Sequence, residues 1–201
     1  MSYSIQPINT QKQLLLDNLM EFYKNRENLN SMMKVINGES KISLRIVDWF
    51  VTNYSKKNYT VYDVPRLVNG KYSDTETARF KVYNDYKLKL KAYSKKNFDP
   101  FCRWDRITIP YDNENYMETT IGQLNFFKWA IENKIVDYIQ ENYPTIEGDM
   151  NSRNSTSKMR YSLDNKEPIQ DSKTRKKREE LSISACKCIK KENVKIVVKF
   201  N

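Results

Sequence analysis

The sequence predicts an α+β fold that is mostly α-helical, with about five helices and a small β element that includes the C-terminal strand. Three observations predict this class. Gly (4) and Pro (6) are scarce among the 201 residues, whereas all-β folds are rich in tight turns. Apolar residues recur at helical spacing through several long segments. The hydrophobic share of 39% and the aromatic share of 12% supply enough large side chains for a core.

The N-terminal part of the chain predicts three helices. In TQKQLLLDNLMEFYKN, Thr10 and Gln13 stand at the spacing of a capping box. The next segment, NLNSMMKVING, ends at Gly38, and glycine favours the position just after a helix. The third helix begins at Ser43 in SLRIVDWFVTNY. Because its polar residues form only a narrow stripe, we expect it to be the most buried helix.

The middle of the chain predicts a short strand around Val61 and then a loop, since Pro65 and Gly70 interrupt NYTVYDVPRLVNGKYS. The next segment, DTETARFKVYNDYKLKLKAYSKK, returns to helical spacing, since Tyr83, Tyr86, Leu90 and Tyr93 recur at intervals of three or four residues. Its lysines at i, i+4 and i+8 form a ridge apart from its apolar stripe. The lysine ridge consists of Lys87, Lys91 and Lys95. A strand also fits the alternation in KLKLK, but the longer helical register favours a helix.

A loop with two prolines follows, and it carries a short strand at Ile107–Ile109. The next helix begins at Thr120, where Gln123 completes a second capping box. This helix either breaks near Asn133 or continues to the limit that Pro144 sets.

The composition changes after Gly148, where the chain becomes polar and rich in Ser, Asn and Lys. The closing stretch regains a short helix and the strand VKIVVKF, which we expect to join a small sheet with the segments near Val61 and Ile107 or to pair with another chain. The predicted parts are a helical globular domain at 1–149, a basic polar linker or arm at 150–180, and a C-terminal helix-strand element at 181–201 that packs back on the domain.

The net charge of +10 is spread unevenly along the chain. It is +1 over residues 1–50, +6 over 51–100, −5 over 101–150 and +8 over 151–201. Clustered Lys and Arg attract phosphate backbones, because binding releases condensed counterions. The acidic stretch could instead meet a basic stretch in the same chain or in a neighbouring copy, and that pairing needs no nucleic acid.

The basic residues of two segments are the predicted nucleic-acid-binding residues. The first segment combines the lysine ridge with the loop after it. The alternative interpretation of this segment is an ordinary solvated helix face. The second segment is KTRKKR, for which the alternative is binding to an import receptor. The predicted binding residues are Lys87, Lys91, Lys95, Lys96, Arg103, Arg106, Lys173, Arg175, Lys176, Lys177 and Arg178.

Four aromatic residues accompany the first basic segment. Rings among basic residues can stack on bases, but core packing is the favoured interpretation. Asp99 and Asp105 lie in the same loop, and we expect them to pair with neighbouring basic groups. The four aromatic residues are Tyr93, Phe98, Phe101 and Trp104.

The sequence predicts no catalytic residues, no metal ligands and no cofactor. Histidine, the commonest general base and metal ligand, does not occur. The P-loop, the G-x-G-x-x-G pattern and the nucleophile elbow do not occur either. Cys102, Cys186 and Cys188 lack the partner pair of a zinc site, and we expect them to be reduced. No membrane segment or signal peptide is expected, because no apolar run reaches the ~18 residues of a membrane span.

Three stretches carry a family resemblance: NFDPFCRWDRI, METTIGQLNFFKWAIENKIVDYI and SKTRKKREELSISACKCIKKENVKIVVKF. They resemble uncharacterised proteins of nucleocytoplasmic large DNA viruses, of the mimivirus and phycodnavirus type. The resemblance spans roughly residues 40–201. It implies a role in the virion core, genome packaging or viral gene expression. It also implies a location in the virion or the host cytoplasm. Independently of the resemblance, the Lys173–Arg178 run could direct the protein to the nucleus.

The functional hypothesis is therefore a non-enzymatic, nucleic-acid-associated protein of a large DNA virus. Its partner is nucleic acid, with DNA favoured over RNA, held through phosphate contacts from the basic helix face and the basic arm. The alternative is a structural or assembly protein of the virion, which acts through contacts with other viral proteins or with copies of itself.

Overall fold

A computed structural model describes residues 10–68, 71–110, 115–163 and 192–193. The described residues form seven helices and two small antiparallel sheets, so the mostly helical α+β class is confirmed, whereas the expected number of about five helices is too low. The helices are α1 (Thr10–Tyr23), α2 (Arg26–Ile36), α3 (44–57), α4 (Val82–Tyr93), α5 (Ile121–Glu132), α6 (Ile135–Glu141) and α7 (Tyr143–Leu163). The strands are β1 (Val61–Val68), β2 (Lys71–Lys81), β3 (Arg106–Pro110), β4 (Asn115–Thr120) and β5 (Glu192–Asn193).

Local capping signals place several helix boundaries where the sequence predicts them. Gly38 follows α2 with φ +72°, the left-handed conformation that glycine tolerates best. Ser43 caps α3, and its hydroxyl accepts a hydrogen bond from the Ile46 amide at 3.3 Å. Thr120 caps α5, and its hydroxyl accepts from the Gln123 amide at 3.1 Å. These three predicted boundaries are confirmed.

Helix α3 is one continuous helix with a π-helical turn at Phe50–Tyr54 between two α-helical pieces, Leu44–Trp49 and Ser55–Lys57. It buries Val47, Phe50 and Val51, but the expectation that it is the most buried helix is wrong. Helix α5 is the most buried of the described helices, since it packs against α1, α2, α6 and β4. Its buried residues are Gly122, Gln123, Leu124, Asn125, Phe126, Phe127, Trp129 and Ala130.

The prediction of a helix from Asp74 onward is wrong for the first part of that segment. Strand β2 occupies it and pairs with β1 in an antiparallel hairpin, with Val64 opposite Ala78 and Tyr62 opposite Phe80. The register shifts near Pro65, which cannot donate a ladder hydrogen bond. Cross-strand pairing is a long-range contact that overrides local helical spacing. Helix α4 therefore starts only at Val82.

The second sheet has the order β3-β4-β5. Strand β3 confirms the predicted strand at Ile107–Ile109, and Ile109 lies opposite Met117 of β4. The segments near Val61 and Ile107 belong to different sheets, so the expected common sheet is wrong. Strand β5 pairs with Asn115 and Tyr116. The predicted strand at 194–200 and the short helix before β5 lie outside the described residues.

Of the two alternatives for this segment, the break near Asn133 is the one that the structure shows, because Lys134 adopts a left-handed conformation between α5 and α6. Pro144 lies in the first turn of α7, where a proline is tolerated. Helix α7 then continues past the expected domain boundary at residue 149 to Leu163, and its Met150 is buried in the core. The first residues assigned to a linker are thus helical.

Candidate nucleic-acid interface

The loop between α4 and β3, residues 94–105, carries three of the six described candidate residues, Lys95, Lys96 and Arg103, and is held against the start of α5. The Asp99 amide donates to the Gly122 carbonyl at 3.1 Å. Gln123 Nε2 donates to the Pro100 carbonyl at 2.9 Å, and Asn125 Nδ2 donates to the Asn97 carbonyl at 2.9 Å. The fold therefore fixes the path of this loop.

The aromatic residues of this segment serve mainly as core. Phe98 and Phe101 are buried, and Tyr93 is half-buried with its ring stacked on Phe98 at 6.2 Å between centroids. Trp104 is the exception, with 40% of its surface exposed. Core packing is thus confirmed for Phe98 and Phe101.

Arg103 is bound inside the fold and does not present a free guanidinium. Its Nε and Nη2 donate to the two carboxylate oxygens of Asp99, each at 2.7 Å. Asp99 is only 1% exposed, and the Arg103 guanidinium also lies 4.9 Å from the centroid of the Phe101 ring. The hydrogen bonds to Asp99 raise the pKa of Arg103. This bidentate pair holds the loop together.

Lys96 and Arg106 pair with acids on the surface. Lys96 Nζ lies 2.8 Å from Asp105, and its hydrogen bond lowers the pKa of that carboxyl. Arg106 Nη1 donates to Glu118 on β4 at 2.9 Å. Both basic side chains stay 44% exposed, so each can contact a further anion beside its partner. The expected charge pairing of Asp99 and Asp105 is confirmed.

The lysine ridge differs from the loop residues. Lys87 and Lys91 are exposed and lie one helical turn apart on α4. Lys95 is also exposed, but it lies beyond the helix, because Ser94 turns the chain with φ +62°. The expectation that all three share one helix face is therefore wrong for Lys95. Among the residues that the structure describes, no ion pair joins Lys87, Lys91 or Lys95 to a carboxylate.

The second basic segment lies outside the described residues. It comprises Lys173, Arg175, Lys176, Lys177 and Arg178. Cys186 and Cys188 also lie outside the described part of the chain, whereas Cys102 is buried.

Sequence reasoning missed a second basic surface, the Tyr59 groove, at the C-terminal end of α3. It is lined by Lys56, Lys57, Tyr59, Tyr83 and Arg153. The available signal was SKKNY, in which two lysines precede an aromatic residue at a helix end. Its remaining parts come from α4 and α7, which are distant in sequence.

One carboxylate, Asp149, adjoins this groove. Asp149 accepts hydrogen bonds from Lys57 Nζ at 2.5 Å and from the Trp49 indole at 3.0 Å. The hydrogen bond from Lys57 is the main reason that the pKa of Asp149 is lowered. Asp149 thereby ties α7 to α3, and Lys56 of the same groove forms no ion pair with any described carboxylate.

The fold and these surfaces define a small, mostly helical α+β protein with basic side chains on α4, on the loop after it and at the end of α3. Within the described part of the chain, no helix is long and apolar enough to span a membrane. The chain belongs to a family of unknown function, DUF7197, whose model matches residues 6–167.

A curated relative confirms the resemblance to uncharacterised proteins of large DNA viruses. The uncharacterized protein L507 of Acanthamoeba polyphaga mimivirus is 47% identical over 133 residues, which cover 64% of this chain and 49% of the relative. The chain thus spans about half the length of this relative. No solved structure matches the chain significantly.

Proposed function

We propose that this protein binds nucleic acid through phosphate contacts, with DNA preferred over RNA, and that it does not catalyse a reaction. The observation that supports this proposal is the state of Lys87, Lys91 and Lys95, which are exposed and have no carboxylate partner among the described residues. Their charges are therefore available to an external polyanion.

The geometry of α4 suits a phosphate backbone. Lys87 and Lys91 are four residues apart, which places them about 6 Å apart along the helix axis. Lys95 and Lys96 continue the basic surface into the loop. Each lysine or arginine that neutralises a phosphate of duplex DNA adds about −0.9 to the slope of log affinity against log salt. Binding through this surface is therefore salt-dependent.

We infer a role in the virion core, in genome packaging or in viral gene expression from the viral origin of the mimivirus relative, which is itself uncharacterised. In the proposed mechanism, the Lys173–Arg178 run adds further phosphate contacts. Location in the virion or the host cytoplasm belongs to the same proposal, as does nuclear entry through that run.

A pair of charge-matched variants tests the proposal. The triple variant Lys87→Gln, Lys91→Gln, Lys95→Gln removes the exposed cations of α4 and its following turn. The control Lys24→Gln, Lys34→Gln, Lys41→Gln removes three exposed cations from the N-terminal part of the fold. Both change the net charge equally, so a difference between them reports location and not total charge.

Fluorescence anisotropy with a labelled DNA duplex at low salt gives the readout. The proposal expects the first triple to weaken binding at least tenfold more than the control. Equal losses would show that only net charge matters and would contradict the proposed surface. The basic arm is best tested by Lys173→Gln with Lys176→Gln in the full chain, since truncation at Gly148 would cut through α7.

Assembly of the virion remains the second candidate, and the β1–β2 hairpin supports it. The hairpin is a two-stranded sheet whose outer edges bear no other strand within the described residues. An open strand edge can pair with another chain. Light scattering in nucleic-acid-free buffer tests this candidate: a salt-sensitive oligomer supports assembly, and a monomer over the same concentrations contradicts self-assembly.

A further inference from the structure

We propose that the Tyr59 groove binds an unpaired nucleotide of single-stranded nucleic acid, whose base stacks on Tyr59 and whose phosphate is held by Lys56 and Arg153. This inference rests on the proposed function and adds that the preferred ligand is single-stranded. Four features of the groove carry it: the backbone of Tyr59, the exposure of its ring, the cations that line it and the continuity with α4.

Tyr59 occupies a position that normally belongs to glycine. The helix α3 ends with hydrogen bonds from the Asn58 amide to the Tyr54 carbonyl at 2.9 Å and from the Thr60 amide to the Ser55 carbonyl at 3.1 Å. Between them, Tyr59 adopts φ +47°, the left-handed conformation of a helix C-terminal cap. A bulky residue is disfavoured in this conformation. Its presence therefore weakens the fold locally.

The ring of Tyr59 contributes little packing to the hydrophobic core. The residue is 87% exposed, the largest exposed fraction among the large apolar side chains that the structure describes. A strained backbone position that holds an exposed aromatic ring is an indication of function, because packing does not explain it. An exposed ring at a basic surface is the type of platform on which bases stack.

The cations of the groove are placed to hold a phosphate. Lys56 Nζ lies 5.6 Å from the centroid of the Tyr83 ring and forms no ion pair with any residue that the structure describes. The Arg153 guanidinium lies 5.6 Å from the centroid of the Trp49 ring, on α7 opposite α3. The groove has a volume of about 370 Å³, within the range of small-ligand sites.

The groove continues into the basic surface of α4. Tyr83 lines the groove, Lys87 lies one turn further along α4, and Lys91 lies one turn beyond that. Residues four apart share one face of a helix. A strand whose end nucleotide occupies the groove can thus follow α4, with successive phosphates near Lys87 and Lys91.

Stacking on Tyr59 requires a base whose face is uncovered. In a duplex, each internal base is covered by its neighbours on both faces, so the ring has nothing to stack on. The groove should therefore favour a single strand over a duplex, whereas the phosphate contacts of α4 serve both.

Substitutions at Tyr59 separate binding from stability. Tyr59→Gly relieves the backbone strain and removes the ring, whereas Tyr59→Phe keeps the ring. Lys134 provides a matched control, because it is also exposed in a left-handed conformation, with φ +55°, but does not line the groove. The probes are a labelled oligothymidine of about 20 nucleotides and a duplex with hairpin-closed ends, which has no free terminal base.

We expect Tyr59→Gly to raise the melting temperature by about 2–4 °C and to weaken oligothymidine binding about tenfold, a typical loss for one stacked base. Binding to the closed duplex should not change. Tyr59→Phe should bind oligothymidine like the wild type. Lys134→Gly should raise the melting temperature with a loss of affinity below about twofold.

Two outcomes would overturn the inference: wild-type affinity of Tyr59→Gly for oligothymidine, or an equal loss on both probes. The triple variant of Lys87, Lys91 and Lys95 is measured with the same probes. If this triple loses affinity while Tyr59→Gly does not, the groove is rejected and the proposed function stands. If the triple binds both probes like the wild type, the proposed function is rejected.

Discussion

The indole nitrogen of Trp129 donates a hydrogen bond to Asp85 Oδ1 at 2.6 Å. This bond joins the central helix α5 to the basic helix α4. The ring of Tyr86, the next residue on α4, lies 6.0 Å from the Trp129 ring between centroids. Both contacts lie on the side of α4 that faces the core. They fix its rotation, so that Lys87 and Lys91 remain on the exposed side.

The Asp85→Ala variant tests this attachment. It leaves the buried indole nitrogen of Trp129 without its partner, and an unsatisfied buried donor costs about 1–3 kcal/mol. We expect urea unfolding to show a loss of that size. Asp63→Ala on the exposed part of β1 serves as the control and should change the free energy of unfolding by less than about 0.5 kcal/mol. Equal effects of the two variants would contradict the anchoring role of Asp85.

Two glycine substitutions test how tightly the candidate loop sits on α5. A Cβ atom at Gly122 would lie 2.7 Å from the Lys96 carbonyl oxygen, whereas a Cβ at Gly148 meets nothing within 4 Å. Gly122→Ala should destabilise the protein by about 1–3 kcal/mol, as overpacking does. Gly148→Ala, in helix α7, should stabilise it by about 1 kcal/mol.

Thermal unfolding of both variants provides the measurement for this pair. Helix propensity favours alanine at both positions. A destabilising Gly122→Ala beside a stabilising Gly148→Ala therefore reports the contact between Gly122 and the loop. A stabilising Gly122→Ala would mean that the loop does not approach α5 as closely as the structure has it.

Arg103 and Arg106 are both predicted phosphate contacts, but their environments differ. Removal of the Arg103 side chain leaves the buried Asp99 carboxylate unpaired, and breaking a buried pair costs about 3–5 kcal/mol. Arg106→Ala breaks an exposed pair with Glu118, worth less than about 1 kcal/mol. We therefore expect Arg103→Ala to lose about 3–5 kcal/mol of stability, whereas Arg106→Ala should lose DNA affinity and less than about 1 kcal/mol of stability.

Chemical denaturation and duplex binding, measured side by side, separate these two roles. Asp99→Asn with Arg103→Met restores neutrality at the buried position and should recover part of the lost stability. An Arg103→Ala variant that remains as stable as the wild type would contradict the structural role of this arginine.

The lowered pKa of Asp149 gives a prediction on pH. The hydrogen bond from Lys57 is its largest cause, followed in the same direction by that from Trp49. A carboxyl whose pKa is depressed by folding stabilises the protein above its ordinary pKa, and this contribution is lost as the pH falls through the lower folded value. We expect Lys57→Gln to raise the pKa of Asp149 toward the ordinary value of 3.8. NMR titration of the carboxyl carbon measures it, and an unchanged midpoint would contradict the pairing.

Local signals were sufficient for the features that depend on a few neighbouring residues. Ser43 and Thr120 are predictable caps, because a hydroxyl and an amide two or three residues later form the cap. Strand β2 was not predictable in the same way, since its pairing with β1 is a long-range contact. The departure of Lys95 from the helix depends on the backbone of Ser94, which the sequence does not indicate.

The candidate surfaces show the same limit. The exposure of Lys87 and Lys91 follows from the helical register of α4, which is local. Arg103 is not available as a phosphate contact, because it pairs with the buried Asp99. The sequence could not predict this, because only the fold shows that Asp99 is buried. The Tyr59 groove needs α3, α4 and α7 to meet, and Lys57 and Asp149 are far apart in the sequence. No periodic pattern in the sequence indicates that these three helices pack together.

The salt dependence of duplex binding tests the central claim most directly. If Lys87, Lys91 and Lys95 each neutralise a phosphate, their replacement by glutamine should make the slope of log affinity against log salt shallower by about 2.7, at about 0.9 per contact. The charge-matched control at Lys24, Lys34 and Lys41 should keep the wild-type slope. Equal slopes for the wild type and the Lys87, Lys91 and Lys95 variant would contradict the proposed phosphate contacts.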